Sequence, residues 1–121
     1  MGTFNGLDQL TALDLHGNIL QNITEVFRSI EALSVLMHLQ LQNNLFEGPI
    51  PANISARLPF LEELDISYNG ITSIHADSFS ASTRLQVLDL SNNKISNLPE
   101  EVFYALKSLR SLSLVGNTLH E

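Results

Sequence analysis

Leucine and isoleucine recur in a fixed order along the chain, and that order sets every later reading. The segments LTALDLHGNIL from Leu10, LMHLQLQNNLF from Leu36, LEELDISYNGI from Leu61, LQVLDLSNNKI from Leu85 and LRSLSLVGNTL from Leu109 all fit LxxLxLxxNxL. Ile66 replaces leucine once, and phenylalanine or isoleucine sometimes closes the unit. The central LxL alternates with period two, which predicts a short strand with one buried face. The asparagines that follow, Asn18, Asn44, Asn69, Asn93 and Asn117, are separated by 26, 25, 24 and 24 residues. Five matches at nearly constant spacing identify a repeat architecture.

This pattern resembles the leucine-rich-repeat family over essentially the whole chain. The resemblance implies an α/β solenoid: a right-handed horseshoe segment with a five-stranded parallel sheet on its concave face. Turns, 3₁₀ segments and extended arcs are expected on the outside. Residues 1–121 form a single domain in this reading, with repeats starting near positions 10, 36, 61, 85 and 109, and 1–9 as the tail of a preceding repeat. Each asparagine stands where the chain leaves its strand. Its amide is expected to satisfy backbone groups of neighbouring coils that would otherwise be buried without partners.

A second apolar series fills the back half of each unit. Phe4, Leu7 and Leu10 read FxxLxxL, as do Phe103, Leu106 and Leu109, with weaker versions at Phe27 with Ile30 and Phe79 with Leu85. These side chains are expected to stack as an outer spine. They resemble the 24-residue repeats of animal cell-surface proteins. The second repeat, NLFEGPIPANI, resembles the plant receptor type instead. Pro49 and Pro51 remove backbone donors there, so that arc is expected to be extended.

Three features depart from the pattern. An insertion near Glu31 to Val35 leaves the register of Leu33 and Leu36 ambiguous, and Ser82 stands where leucine is expected, which predicts weaker packing. No cysteine-rich or polar capping segment appears at either end, so the chain reads as an excised or engineered piece. An apolar final repeat, with Leu112, Leu114 and Leu119 uncovered, would favour end-to-end self-association.

Composition narrows the function classes. With 13 acidic and 6 basic residues the formal net charge is −7, which disfavours nucleic acid and anionic membranes as partners. No apolar run is long enough to span a bilayer. The N-terminus lacks the basic start and apolar middle of a signal peptide, and Gly6 stands where myristoylation wants serine or threonine. Cysteine is absent, which removes disulfides and thiolate metal sites.

Catalytic signatures are missing from the sequence. The six glycines form neither GxGxxG nor a P-loop, no GxSxG elbow exists, and His16, His38, His75 and His120 have no metal-ligand spacing. The expectation is a non-enzymatic protein with no cofactor and no metal. The chemistry that remains lies on the concave face, where the variable positions flanking the central leucines point. One column runs Asp14, Gln40, Asp65, Asp89 and Ser113, with Glu62 and Glu63 on the same face and Tyr68 two positions past Ile66. His38, Gln40, Glu62, Glu63, Asp65, Tyr68, Asp89 and Arg110 are the candidate ligand-binding residues. Their charge favours a protein or peptide partner of basic character. The alternative is a structural spacer within a longer array. Asn22-Ile23-Thr24 and Asn53-Ile54-Ser55 are glycosylation sequons, so Asn22 and Asn53 are candidate carriers. Together with the repeat type they point to an extracellular or cell-surface location, against a cytoplasmic alternative.

Overall fold

A computed structural model describes residues 8–119. Five three-residue strands, β1 (Ala12–Asp14), β2 (His38–Gln40), β4 (Glu63–Asp65), β6 (Val87–Asp89) and β7 (Ser111–Ser113), form one parallel sheet in that order. Each strand comes from the LxL of one repeat. Their central leucines are in register, Leu13 beside Leu39, then Leu64, Leu88 and Leu112. Leu39, Leu64 and Leu88 are buried, while Leu13 and Leu112 in the outermost strands are half-buried. Period-two alternation therefore sends one leucine file inward, with the flanking residues on the other face.

The outer arcs differ from coil to coil. The first holds α1 (Ile23–Ser29), a seven-residue helix opened by Asn22, whose side chain accepts the N–H of Glu25 at 3.1 Å. Only turns, 3₁₀ segments and extended arcs were expected outside, so α1 is a correction. Its basis is local: an N-cap residue, Glu25 in the first turn and Ile23 and Phe27 on the buried side. The steps that follow α1 are the ones every later coil takes, so the extra residues of this repeat lie ahead of Ile30, in the arc that holds α1, and not between Glu31 and Val35. Leu33 N–H donates to Ile30 O at 2.9 Å and Leu36 N–H to Leu33 O at 3.0 Å. Ile30, Leu33 and Leu36 are all fully buried and match Ser55, Leu58 and Leu61 of the next coil, where Leu58 N–H donates to Ser55 O at 2.9 Å and Leu61 N–H to Leu58 O at 3.2 Å, so Leu36 opens the repeat.

In the next coil, β3 (Glu47–Ile50) is extended, as its prolines imply, and pairs in parallel with β5 (Gly70–Ile74) in a separate two-stranded sheet. The ladder slips between Gly48 and Pro49, where proline offers no N–H and Gly48 takes a φ of +78°. Gly70 is needed for the approach: a Cβ there would lie 3.0 Å from Phe46 O.

The aromatic spine is shorter than the sequence implies. Phe27, Phe46 and Phe79 are buried, but Phe103 turns outward from a 3₁₀ helix (Glu100–Phe103) and Val102 fills the core in its place. Phe4 and Leu7 lie outside the described residues. Ser82 also departs from its expectation. It is fully buried, and its hydroxyl shares a hydrogen bond with the equally buried Ser55 one coil earlier. Polar pairing, not a void, occupies that site.

Candidate functional site

The outward face of the five-stranded sheet carries two side-chain files. One runs Ala12, His38, Glu63, Val87 and Ser111; the other runs Asp14, Gln40, Asp65, Asp89 and Ser113. Across the three central strands these files line a shallow depression of about 190 Å³ whose walls include His38, Gln40, Glu63, Asp65, Val87 and Asp89. Neighbouring strands lie about 4.8 Å apart, so three carboxylates converge on one small surface. His38 Nδ1 stands 3.4 Å from Glu63 Oε1.

Two of these carboxylates also hold the backbone. Asp65 Oδ1 accepts the N–H of Ser67 at 2.9 Å and its hydroxyl at 2.6 Å. Asp89 Oδ1 does the same with Ser91, at 3.0 and 2.6 Å. The first coil substitutes histidine: Asp14 Oδ1 accepts the N–H of His16 and faces its ring Nδ1. The hydrogen bonds from the His16 side chain, and next from its backbone, hold the Asp14 carboxyl below its ordinary value. Ser67 and Ser91 were not singled out from sequence, and His16 was weighed only as a metal ligand, although the repeated Asp-Ile-Ser and Asp-Leu-Ser triplets carry the signal for the serines. These aspartates hold the strand exits through Oδ1.

Other candidate residues lie elsewhere. Glu62 lines a separate hollow with Met37, Phe60 and Arg84, where the guanidinium sits 4.7 Å over the Phe60 ring. That placement corrects the grouping of Glu62 with Glu63. Arg110 enters β7 one position ahead of Ser111, its N–H bonded to Gln86 O, and is not among the residues of the central depression.

Tyr68 sits at the turn beyond β4, exposed to 56%, with a φ of +56°. The matching positions of the other coils are Gly17, Asn43, Asn92 and Gly116, all with positive φ. Glycine and asparagine occupy the left-handed region readily; a bulky tyrosine does so at a cost.

The asparagines run along the turns. Asn44, Asn69, Asn93 and Asn117 each donate through Nδ2 to a carbonyl of their own coil and one of the preceding coil. Their Oδ1 atoms accept the N–H of Leu20, Phe46, Ile71 and Ile95 in turn. Asn18 is exposed and bonds within its own coil, to Leu15 O and His16 O. Asn22 and Asn53 lie apart from this row, exposed on the outer arc. Among the described residues no group of three or more His, Cys, Asp or Glu could hold a metal ion. His120 lies outside them.

The family model described as "Leucine rich repeat" matches residues 59–119. The chain is 36% identical over 70 residues to Tsukushi of Mus musculus, covering 58% of this chain and 20% of that protein. It is 32% identical over 111 residues to Receptor like protein 22 of Arabidopsis thaliana, covering 72% and 14%. Both relatives are therefore much longer than the stretch they share with this chain. Among solved structures, a leucine-rich-repeat protein of Leptospira interrogans superposes with a TM-score of 0.78 at 34% identity, over 93% of this chain and 27% of that one. The leucine-rich-repeat domain of APL1B superposes with a TM-score of 0.82 at 25% identity, over 98% and 34%.

Proposed function

Because this chain belongs to the leucine-rich-repeat family, whose repeats are protein–protein interaction modules, we propose that it binds a protein or peptide through the outward, concave face of its sheet. The observation that carries this reading is the convergence of Glu63, Asp65 and Asp89, with His38 and Gln40, on the depression across β2, β4 and β6. A rigid sheet holds these groups in place before a ligand arrives, so little ordering cost falls on binding. Their charge selects a basic or amphipathic segment and speeds its capture at low salt. Tyr68 adds area with a polar tip, the property that makes tyrosine a frequent anchor of interfaces.

A relative named as a receptor-like protein and the two sequons support an extracellular or cell-surface setting. Among the described residues no helix is long and apolar enough to cross a membrane.

The test is backbone NMR with two probe peptides of equal length, one lysine-rich and amphipathic, the other its glutamate-substituted counterpart. Shifts at His38, Gln40, Glu63, Asp65 and Asp89 are expected with the basic peptide only, weakening as salt rises from 50 to about 500 mM. Asp65→Asn and Asp89→Asn keep the Oδ1 acceptor of each turn and remove only charge, so they should weaken binding without unfolding. Shifts confined to the outer arc, or none at all, would leave the sheet as a spacer surface.

A further inference from the structure

The seven asparagines that carry ladder bonds or sequons divide into two chemical groups. In the ladder every Nδ2 is engaged by carbonyls of one or two coils. At the sequons only Oδ1 is engaged. Asn22 uses Oδ1 to accept the N–H of Glu25 at 3.1 Å, and Asn53 uses Oδ1 to accept the hydroxyl of Ser80 at 2.9 Å. Among the described residues neither Nδ2 donates a hydrogen bond, and both residues are exposed. Asn53 also sits at φ +59°, held by its own N–H on Asp77 O at 2.9 Å, a conformation asparagine tolerates well.

From this we infer that Asn22 and Asn53 both carry N-linked glycans, and that the fold bears them without losing a hydrogen bond. In the transfer, Nδ2 bonds to the anomeric carbon of a lipid-pyrophosphate-linked oligosaccharide. The bond from that carbon to pyrophosphate oxygen breaks, the lipid pyrophosphate leaves, and the amide gives up one proton to the transferring enzyme. The N–H that remains needs no partner in the fold.

Timing is constrained at the second site. The Ser55 hydroxyl that completes the Asn53 sequon is fully buried against Ser82, so transfer there precedes the closing of that coil. The two sites bracket one strip of the outer arc. Asn22 lines a hollow with Thr24, Pro49 and Pro51, and Asn53 lines the adjoining one with Thr24 and Pro51. None of these residues lines the depression on the sheet. Two glycans therefore shield the outer strip while the sheet face stays bare.

The inference rests on the secretory location proposed above but not on the sheet as binding face. The experiment directs the whole chain through a eukaryotic secretory pathway behind a cleavable leader and weighs the product intact. Two glycan mass steps are expected, both removed by peptide N-glycosidase, with aspartate left at positions 22 and 53. Asn22→Asp and Asn53→Asp keep the Oδ1 acceptor and replace Nδ2 with a carboxylate oxygen at an exposed position, so each should delete one step. The double variant should appear at the bare mass with an unchanged melting temperature. A product at the bare mass in the wild type, or a single step, would overturn the two-site assignment. So would a step surviving in the double variant.

Discussion

Asn93 Oδ1 accepts the backbone N–H of Ile71, one coil earlier, at 3.0 Å. The same amide donates through Nδ2 to Ile66 O and Leu90 O, both at 3.0 Å, and to Ser91 O at 3.2 Å. Asn93 is buried, so these groups have little water to replace it. Asn93→Ala should therefore cost about 1–3 kcal/mol, since it strands buried backbone partners. Asn93→Asp should also destabilise at neutral pH, because the acceptor survives but the donor is replaced by a charge facing carbonyls. Urea titration of both variants checks this; a loss below about half a kilocalorie per mole for alanine would sink the bridging role.

The Ser55–Ser82 pair makes a different test. Each hydroxyl is fully buried, with the other as its partner. Ser82→Ala should cost about 1–3 kcal/mol by leaving Ser55 unpaired. The double change to alanine should cost less than the two single changes summed, because the second removes a group already stranded. Strict additivity in a double-mutant cycle would mean that the two hydroxyls act independently.

How much of this was legible in the sequence differs by element. Strand register was fully readable, because LxL alternation and the asparagine spacing each fix it. The outer arcs were not. An N-cap asparagine opened a helix ahead of Ile30 and the extra residues of that repeat went into its arc, while Leu33 and Leu36 kept the positions that Leu58 and Leu61 hold one coil later. Ser82 looked like a defect because its partner lies 27 residues away, and no local pattern links them. On the sheet, Asp65 and Asp89 were visible as charges. Their grip on Ser67 and Ser91 was readable only by noticing that the Asp-x-Ser triplet repeats.

The Asp14–His16 pair gives a pH-dependent outcome. Because the folded carboxyl lies below its ordinary value, the bond favours the folded state at pH above the usual carboxylate range. That contribution fades as pH falls through the folded value, below 3.8. His16→Ala should move the Asp14 titration upward toward the unperturbed carboxylate. Carboxyl-carbon NMR shifts measured from pH 2 to about 6 follow it directly, spanning the ordinary carboxylate range. An unmoved midpoint would assign the depression to the backbone N–H at position 16 and not to the His16 side chain.

Tyr68 separates stability from binding. Its φ of +56° places a bulky side chain where four other coils use glycine or asparagine. Removing that mismatch should help the fold: Tyr68→Asn should raise stability, by up to about 1 kcal/mol. The residue is 56% exposed and outside the buried core, so nothing in the core opposes the gain. If the tyrosine is kept for contact with a ligand, the same change should weaken capture of the basic probe peptide, chiefly by faster dissociation. Thermal unfolding and surface plasmon resonance on one variant read both effects. A variant that is more stable and binds equally well would leave the tyrosine with strain and no recognition role. A less stable variant would show that the turn prefers the aromatic ring, against the backbone argument.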